Sequence, residues 1–125
     1  MIFLDNLYSV VSAHAEGNTA FRYKIDLIPD SVIFSAHFPG EPIMPGACIV
    51  QMVEELYDLW TQRSTTLLKV NNLKFLAVIS PTDVISLDVC LEVKAEDASA
   101  THIKADIIAG DVVYARMSLI LGPKL

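Results

Sequence analysis

The chain has 125 residues, the size of a single domain with a sizeable core, and its 53% hydrophobic content excludes a disordered protein. A net charge of −6 with only 9 Lys and Arg argues against nucleic-acid binding, because a phosphate backbone requires a basic surface. No apolar stretch approaches the roughly 20 residues of a membrane span. The first ten residues carry Asp5 and no basic leader, so we expect no secretory signal and a cytoplasmic location.

The first predicted elements are two strands. In the segment TAFRYKIDLIPD, residues 19–30, apolar and charged residues alternate, which predicts a strand with one buried face that ends at Pro29. The next segment, SVIFSAHF at residues 31–38, predicts a second, short strand. Pro39 and Gly40 end it.

The apolar pattern then changes from strand to helix. From Pro45 to about Arg63 the apolar residues recur at helical spacing, as Ile49, Met52, Val53, Leu56, Tyr57 and Trp60. The polar residues of the same stretch fall opposite them, as Glu54, Glu55, Asp58 and Gln62. This spacing predicts one long amphipathic helix.

The second half of the chain predicts strands only. Four segments have strand composition: TLLKVNNLKFLAVI, DVISLDVCLEVKAE, ATHIKADIIAG and DVVYARMSLIL, the last two joined by a hairpin turn at AGDV. We therefore expect an α+β domain in which one long helix lies on a mostly antiparallel sheet of five or six strands. One helix cannot cover so large a sheet, so a face or an edge is expected to pack against another subunit.

The start of the predicted helix has unusual chemistry. The sequence PIMPGACIV offers no Ser, Thr, Asp or Asn to cap the first N–H groups. Pro45 has no N–H to satisfy, and the amides of Gly46, Ala47 and Cys48 stand at the positive end of the helix dipole. They either bind a polarised carbonyl oxygen or are capped by water.

The histidines, Gln51 and the cysteines are the other side chains that could carry chemistry, and His37 and Gln51 have two interpretations each. His37 is either a packed histidine or a proton carrier near neutral pH, whereas His14 and His102 have no evident partner. Gln51 either begins the polar face or is a partly buried amide that orients a ligand without transferring a proton. The cysteines, Cys48 and Cys90, lack metal-ligand spacing and are expected to be free structural thiols.

The string HFPGEPIMPG, residues 37–46, resembles the active-site segment of the hotdog-fold 3-hydroxyacyl-acyl-carrier-protein dehydratases. The resemblance continues through NNLKFLAVISPTDVISLDVCLEV and the final strand, and covers roughly residues 20–121. It implies a hotdog fold, in which a curved antiparallel sheet wraps a long central helix. It further implies a dimer with two active sites at the subunit interface, either a homodimer or a heterodimer with another hotdog protein.

The resemblance also implies the residues of the site. By position, His37 is the catalytic base, and Gly46 donates its N–H to the carbonyl of an acyl-carrier-protein or coenzyme A thioester. The implied substrate-binding residues are Phe38, Pro39, Gly40, Met44, Pro45 and Ala47. Neither a metal nor a cofactor is implied.

Gln51 departs from the family pattern. Dehydratases of this family place Glu or Asp at this position, contributed to the site by the opposite subunit, and loss of a catalytic proton donor typically costs ~10²–10⁴-fold in rate. Three functions therefore stay open: a dehydratase or hydratase, a dehydration-deficient accessory subunit beside a Glu-bearing hotdog partner, and an acyl thioesterase in which Gln51 or Glu55 positions water. For carrier-protein binding the candidate basic residues are Arg22, Lys24, Arg63, Lys69 and Lys74.

Overall fold

A computed structural model describes residues 1–36 and 40–124 of the protein. Within them the elements follow in the order β1 (Tyr8–Glu16), β2 (Ala20–Leu27), α1 (Val32–Ala36), α2 (Gly46–Thr61), β3 (Thr65–Phe75), β4 (Ser86–Glu96), β5 (Thr101–Ala109) and β6 (Val112–Pro123). The strands form one antiparallel sheet in the order β1-β2-β4-β5-β6-β3. The α+β prediction is therefore confirmed, with six strands.

Helix α2 forms the core with the inner face of the sheet. Its apolar residues Ile49, Met52, Val53, Leu56 and Tyr57 are buried at helical spacing, as the sequence predicted. They join one cluster with alternate residues of β2, β4, β5 and β6. The helix ends at Gln62, which adopts the left-handed conformation and donates its N–H to the carbonyl of Asp58.

The short strand predicted at residues 31–38 is wrong over residues 32–36, which form helix α1. Ser31 accounts for the difference, because its hydroxyl accepts the N–H of Ile33 at 3.3 Å and its carbonyl accepts that of Phe34 at 3.1 Å. In a stretch this short, an apolar pattern does not separate the helical period from the strand period.

Strand β1 is an element that the sequence pattern missed. Six of its nine residues, from Val11 to Glu16, are exposed, so it has no alternation of apolar and polar positions. It forms a hairpin with β2 through a turn at Gly17, whose φ of 77° suits glycine. His14 lies exposed on this edge strand.

The other edge of the sheet, β3, carries many exposed apolar side chains. The exposed members on β3 and the segment after it are Leu67, Leu68, Val70, Phe75, Leu76 and Val78. A row of unpaired backbone groups beside apolar side chains is what edge strands normally avoid. This edge fits the expectation that part of the sheet packs against another subunit.

The remaining strand predictions agree with the structure. The turn between β5 and β6 contains Gly110 at φ 57°, His102 is exposed on β5, and both Cys48 and Cys90 are free thiols. Among the described residues, no helix has the length and apolar character needed to cross a membrane.

Candidate functional site

Helix α2 begins without a side-chain cap. Pro45 is the N-cap residue, in an extended conformation with φ −64° and ψ 147°, and within the described residues no side-chain hydrogen bond caps the helix. The carbonyl of Pro45 accepts the N–H of Cys48 at 3.0 Å and that of Ile49 at 3.1 Å. The amide of Cys48 is therefore engaged, which corrects the prediction that three amides are available. Those of Gly46 and Ala47 donate no hydrogen bond within the described residues.

The first helical residue lies beneath an aromatic ring. A methyl group added at Gly46 would meet Cζ of Phe75 at 2.7 Å, so glycine permits a close approach that alanine does not. Phe75 is 49% exposed. Beside this contact lies an apolar cavity of about 310 Å³, whose lining residues are Ile43, Met44, Gly46, Ile49, Phe75, Leu76, Ala77, Val78 and Ile79. The helix start therefore faces a groove that suits an acyl chain better than a charged ligand.

The catalytic residue His37 and the six residues that the resemblance implies for substrate binding fall into two groups, those outside and those within the described residues. His37, Phe38 and Pro39 lie outside the described residues. Among the others, Met44 is buried and donates its N–H to the carbonyl of Ile79 at 2.8 Å, which anchors the helix start to the sheet side of the cavity.

Among the described site candidates, Gly40 and Ala47 are exposed. Gly40 has a φ of 87°, and no atom of the described residues lies within 4 Å of a Cβ added there. Ala47 lies exposed in the first turn of the helix, one turn before Gln51. Of the described candidates, Met44, Pro45, Gly46 and Ala47 thus meet at the helix start, next to the cavity.

Gln51 is half-buried one turn into α2. Its Nε2 donates a hydrogen bond to Oε2 of Glu55 at 3.1 Å. Its carbonyl oxygen accepts no hydrogen bond from the part of the chain that is described. Gln51 is therefore a partly buried amide with Glu55 as its partner, and its role in orienting a ligand stays a prediction.

Glu55 is the residue that the sequence analysis misjudged. The helical pattern placed it on the polar face, but it is 2% exposed. Its carboxylate accepts the main-chain N–H groups of Ile2, Phe3 and Leu4 at 2.9 to 3.2 Å. It also accepts the hydroxyl of Tyr8 at 3.0 Å, in addition to the amide of Gln51.

These groups, Glu55 with residues 2–4, Tyr8 and Gln51, are called the Glu55 cluster below. Burial, followed by the charge of Glu55, raises the pKa of Tyr8 well above its usual range, so the phenol remains a donor. Because donors hold both of its oxygens, Glu55 is poorly placed to position a water, a role that the thioesterase alternative gave to Gln51 or Glu55. Apart from Gln51, the groups that donate to Glu55 come from residues 2–8, about 50 residues away in the chain. No local sequence signal marks such a contact.

The neighbouring carboxylate, Glu54, has a different environment. It is partly exposed, and burial, together with the charges of Asp58 and Glu55, raises its pKa above the ordinary value. No group of three His, Cys, Asp or Glu side chains that suits a metal occurs among the described residues. The described part of the site therefore offers backbone amides, an oriented amide and an apolar groove.

Two of the candidate basic residues are paired. Nη2 of Arg22 lies 2.9 Å from Oδ2 of Asp88, and Nη1 of Arg63 lies 3.3 Å from Oε2 of Glu96. Lys69 and Lys74 lie on the edge strand β3 and are exposed. Carrier-protein binding through these five side chains stays a prediction.

The sheet order and the long helix α2 define a hotdog domain. The family model described as ApeI-like, ApeI dehydratase, matches residues 13–111, and the chain belongs to this family. That match extends from the second half of β1 to the β5–β6 turn and includes the helix start, Gln51 and Glu55.

Curated relatives carry the name 3-hydroxyacyl-acyl-carrier-protein dehydratase FabZ. The chain is 27% identical over 114 residues to the protein from Oenococcus oeni, covering 86% of this chain and 78% of that one. It is 30% identical over 105 residues to the protein from Caulobacter vibrioides, covering 73% and 65%, respectively. The alignment to the Clostridium acetobutylicum protein, at 31% over 80 residues, covers 58% of this chain and 56% of that relative.

Solved structures agree on the fold. A chain of the dehydratase heterocomplex ApeI:P from Xenorhabdus doucetiae superimposes with a TM-score of 0.73 at 16% identity, over 90% of this chain and 96% of that one. The thioesterase yhdA from Lactococcus lactis, described as putative, gives a TM-score of 0.67 at 7% identity, over 98% of both chains. At these identities the likeness concerns the fold alone.

Proposed function

We propose that the protein binds a 3-hydroxyacyl thioester of acyl-carrier protein or coenzyme A and interconverts it with the trans-2-enoyl thioester. One observation supports this most: in a chain of the ApeI-like dehydratase family, the uncapped start of α2 lies beside an apolar cavity, with Gln51 one turn away. The proposed site joins an oxyanion-binding amide and an acyl groove of one subunit with a group that orients a hydroxyl, Gln51, contributed by the opposite subunit.

In the proposed mechanism, His37 takes the α-proton of the acyl chain. The N–H of Gly46 stabilises the negative charge that develops on the thioester oxygen, aided by the positive end of the helix dipole. The C–O bond at C3 then breaks, and the hydroxyl leaves as water after it receives a proton. Gln51 holds this hydroxyl, while the proton comes from His37, because a carboxamide has none to give near neutral pH.

A dimer is part of the proposal. The exposed apolar side chains of β3 suit contact with a second hotdog domain, either another copy of this chain or a different one. The proposed fatty-acid, polyene or polyketide substrates would enter at the helix start, with the acyl chain in the cavity lined by Ile49 and Phe75.

The test is hydration of a crotonyl thioester by the purified protein and by His37→Ala. We expect turnover by the wild type and a loss of at least ~10²-fold in the variant. Because Gln51 and Glu55 are 3.1 Å apart, Gln51→Glu alone places two carboxylates in contact. It is therefore run beside Gln51→Glu/Glu55→Gln, which exchanges the pair. A wild type with no turnover, together with a double variant that also has none, would refute a dehydratase site.

A second candidate is an accessory subunit. Gln51 favours it, because the position lacks a carboxylic acid, and a structural neighbour is described as a dehydratase heterocomplex. It predicts that the protein copurifies with a Glu-bearing hotdog protein encoded nearby and that activity appears only in the mixture. Release of free thiol from an acyl-CoA without a change at the double bond would instead indicate a thioesterase.

A further inference from the structure

We propose that the β3 edge, residues 65–75, pairs with a different domain of the same fold, one that carries Asp or Glu opposite Lys69 and Lys74, rather than with a second copy of this chain. The inference rests on the dimer in the proposed function and names the chemistry of its partner. It follows from the charges on the outer face of β3.

The two faces of β3 differ in character. Residues opposite the buried side chains of β6 lie on the inner face of the sheet, and residues opposite its other positions lie on the outer face. The inner-face residues are apolar, namely Leu67, Val70, Leu73 and Phe75. The outer-face residues are polar, namely Lys69, Asn72 and Lys74. A partner that covers the apolar row must therefore also fit the two lysines.

The apolar row on the inner face is incompletely covered. Leu67, Val70 and Phe75 are 36%, 39% and 49% exposed, whereas the β6 side chains opposite them are buried. On its free side, β3 has no strand partner among the described residues. A strand of another domain would satisfy the unpaired backbone groups and help to cover the apolar row.

Positive charge dominates the outer face at this edge. Neither Lys69 nor Lys74 forms an ion pair within the described part of the chain. Arg116 lies directly opposite Lys74 on β6, and its Nε is 3.9 Å from Oδ1 of Asp106 on β5. Neither β3 nor β6 contains an Asp or a Glu. The two lysines therefore have no acidic neighbour on their own strand or on the strand beside it.

A second copy of the chain would bring these lysines together. Two copies of a strand that pair across a twofold axis perpendicular to the sheet run antiparallel. Lys69 and Lys74 are five positions apart in a strand of 11 residues. In every register that pairs two thirds or more of the strand, a lysine of one copy therefore lies opposite a lysine of the other or within two positions of it. Like charges so placed destabilise strand pairing, and lysines on edge strands commonly prevent self-pairing.

A partner with carboxylates at these positions removes the conflict. Asp or Glu opposite Lys69 and Lys74 replaces repulsion with cross-strand ion pairs, while the apolar row still packs on the inner face. The proposed site takes Gly46 from one subunit and Gln51 from the other. A heterodimer would therefore have two unlike sites, and Gln51 would serve only one of them.

The experiment converts this chain into its own acidic partner. Lys69→Glu/Lys74→Glu is labelled with ¹⁵N and mixed with unlabelled wild type, and native mass spectrometry measures the homodimers and the heterodimer. The heterodimer should have a dissociation constant about tenfold lower than that of the wild-type homodimer. Lys24→Glu/Lys104→Glu is the matched control, because it makes the same charge change at exposed residues of β2 and β5, which are not edge strands. Its mixture with the wild type should show no such gain.

Salt dependence is a second measurement, and its first part needs no variant. Raising NaCl from about 0.05 M to about 0.5 M screens exposed charges, so it should strengthen self-association of the wild type in analytical ultracentrifugation. The same change should weaken the heterodimer of the wild type with Lys69→Glu/Lys74→Glu. These opposite signs separate charge screening from a general effect of salt on apolar contacts.

Each contrary outcome has its own meaning. A wild-type homodimer at least as stable as the heterodimer, or one that salt weakens, would overturn the proposal in favour of a second copy. An equal gain in the control mixture would overturn the role of the β3 edge. No dimer in any mixture would refute this edge as an interface. Turnover of the crotonyl thioester is measured separately, so a heterodimer that forms without turnover would refute the proposed reaction and leave this inference standing.

Discussion

Removal of the Glu55 carboxylate should destabilise the whole domain. In Glu55→Ala, the hydroxyl of Tyr8, which is fully buried, loses its acceptor at a cost of about 1–3 kcal/mol. The N–H groups of residues 2–4 lose theirs too, but Ile2 is 68% exposed, so water replaces part of that loss. We therefore expect a decrease in the free energy of unfolding of about 3–5 kcal/mol, the range for breaking a buried charged network.

Urea unfolding gives this free energy from the midpoint and the m-value. Glu54→Ala is the matched control, because it makes the same chemical change at the adjacent helix position, and among the described residues Glu54 shares no hydrogen bond with the Glu55 cluster. Glu54→Ala should keep or raise the free energy of unfolding. Glu55→Ala should unfold at a much lower urea concentration than the wild type.

A double-mutant cycle tests the assigned cause. Tyr8→Phe alone removes one of the five donors to Glu55, and the effects of Tyr8→Phe and Glu55→Ala should fall short of additivity by about 1 kcal/mol or more. Additive effects, or a cost below about 1 kcal/mol for Glu55→Ala, would mean that the carboxylate does not hold the start of the chain.

Three further predictions concern single side chains. Tyr57 is fully buried, and its hydroxyl has no partner among the described residues, so Tyr57→Phe should raise the free energy of unfolding by about 1 kcal/mol in thermal or urea melts; a loss of stability would reveal a bound partner. Gly46→Ala should displace the ring of Phe75 and cost about 1 kcal/mol, and adding Phe75→Leu should restore most of it; no recovery would place the clash elsewhere. Because the folded-state pKa of Glu54 is raised, its ionisation destabilises the fold as the pH rises through that pKa. Glu54→Gln should therefore be more stable than the wild type at pH 7 but not at about pH 4, and a pH-independent difference in melting temperature would contradict this cause.

The sequence predicts those elements whose side chains repeat with a clear period. Helix α2 has its apolar residues at helical spacing, and β2 alternates from Phe21 to Leu27, so both were found. Strand β1 was missed, because as an edge strand it exposes most of its side chains. At helix α1 the apolar pattern wrongly predicts a strand, because five residues carry too little periodicity and the pattern does not include the capping role of Ser31.

Some features of the candidate site could likewise be predicted from the sequence, and others could not. The uncapped helix start and the partly buried amide of Gln51 could be inferred, because both depend on residues within one turn of each other. The buried state of Glu55 and the ring of Phe75 over Gly46 could not. Their partners are distant in the chain and, for Glu55, are mostly main-chain groups, which every residue type supplies equally.

The position of β3 at the sheet edge has a consequence for how the chain folds. β4, β5 and β6 follow one another in sequence and pair as neighbours, so this meander can form from local contacts. β3 precedes them but pairs only with β6, and on a ribosome it emerges well before its partner is made. We therefore expect β3 to join late. Substitutions in it should hasten unfolding more than they slow refolding, and its apolar residues are the chain's main exposure to misassembly until β6 arrives.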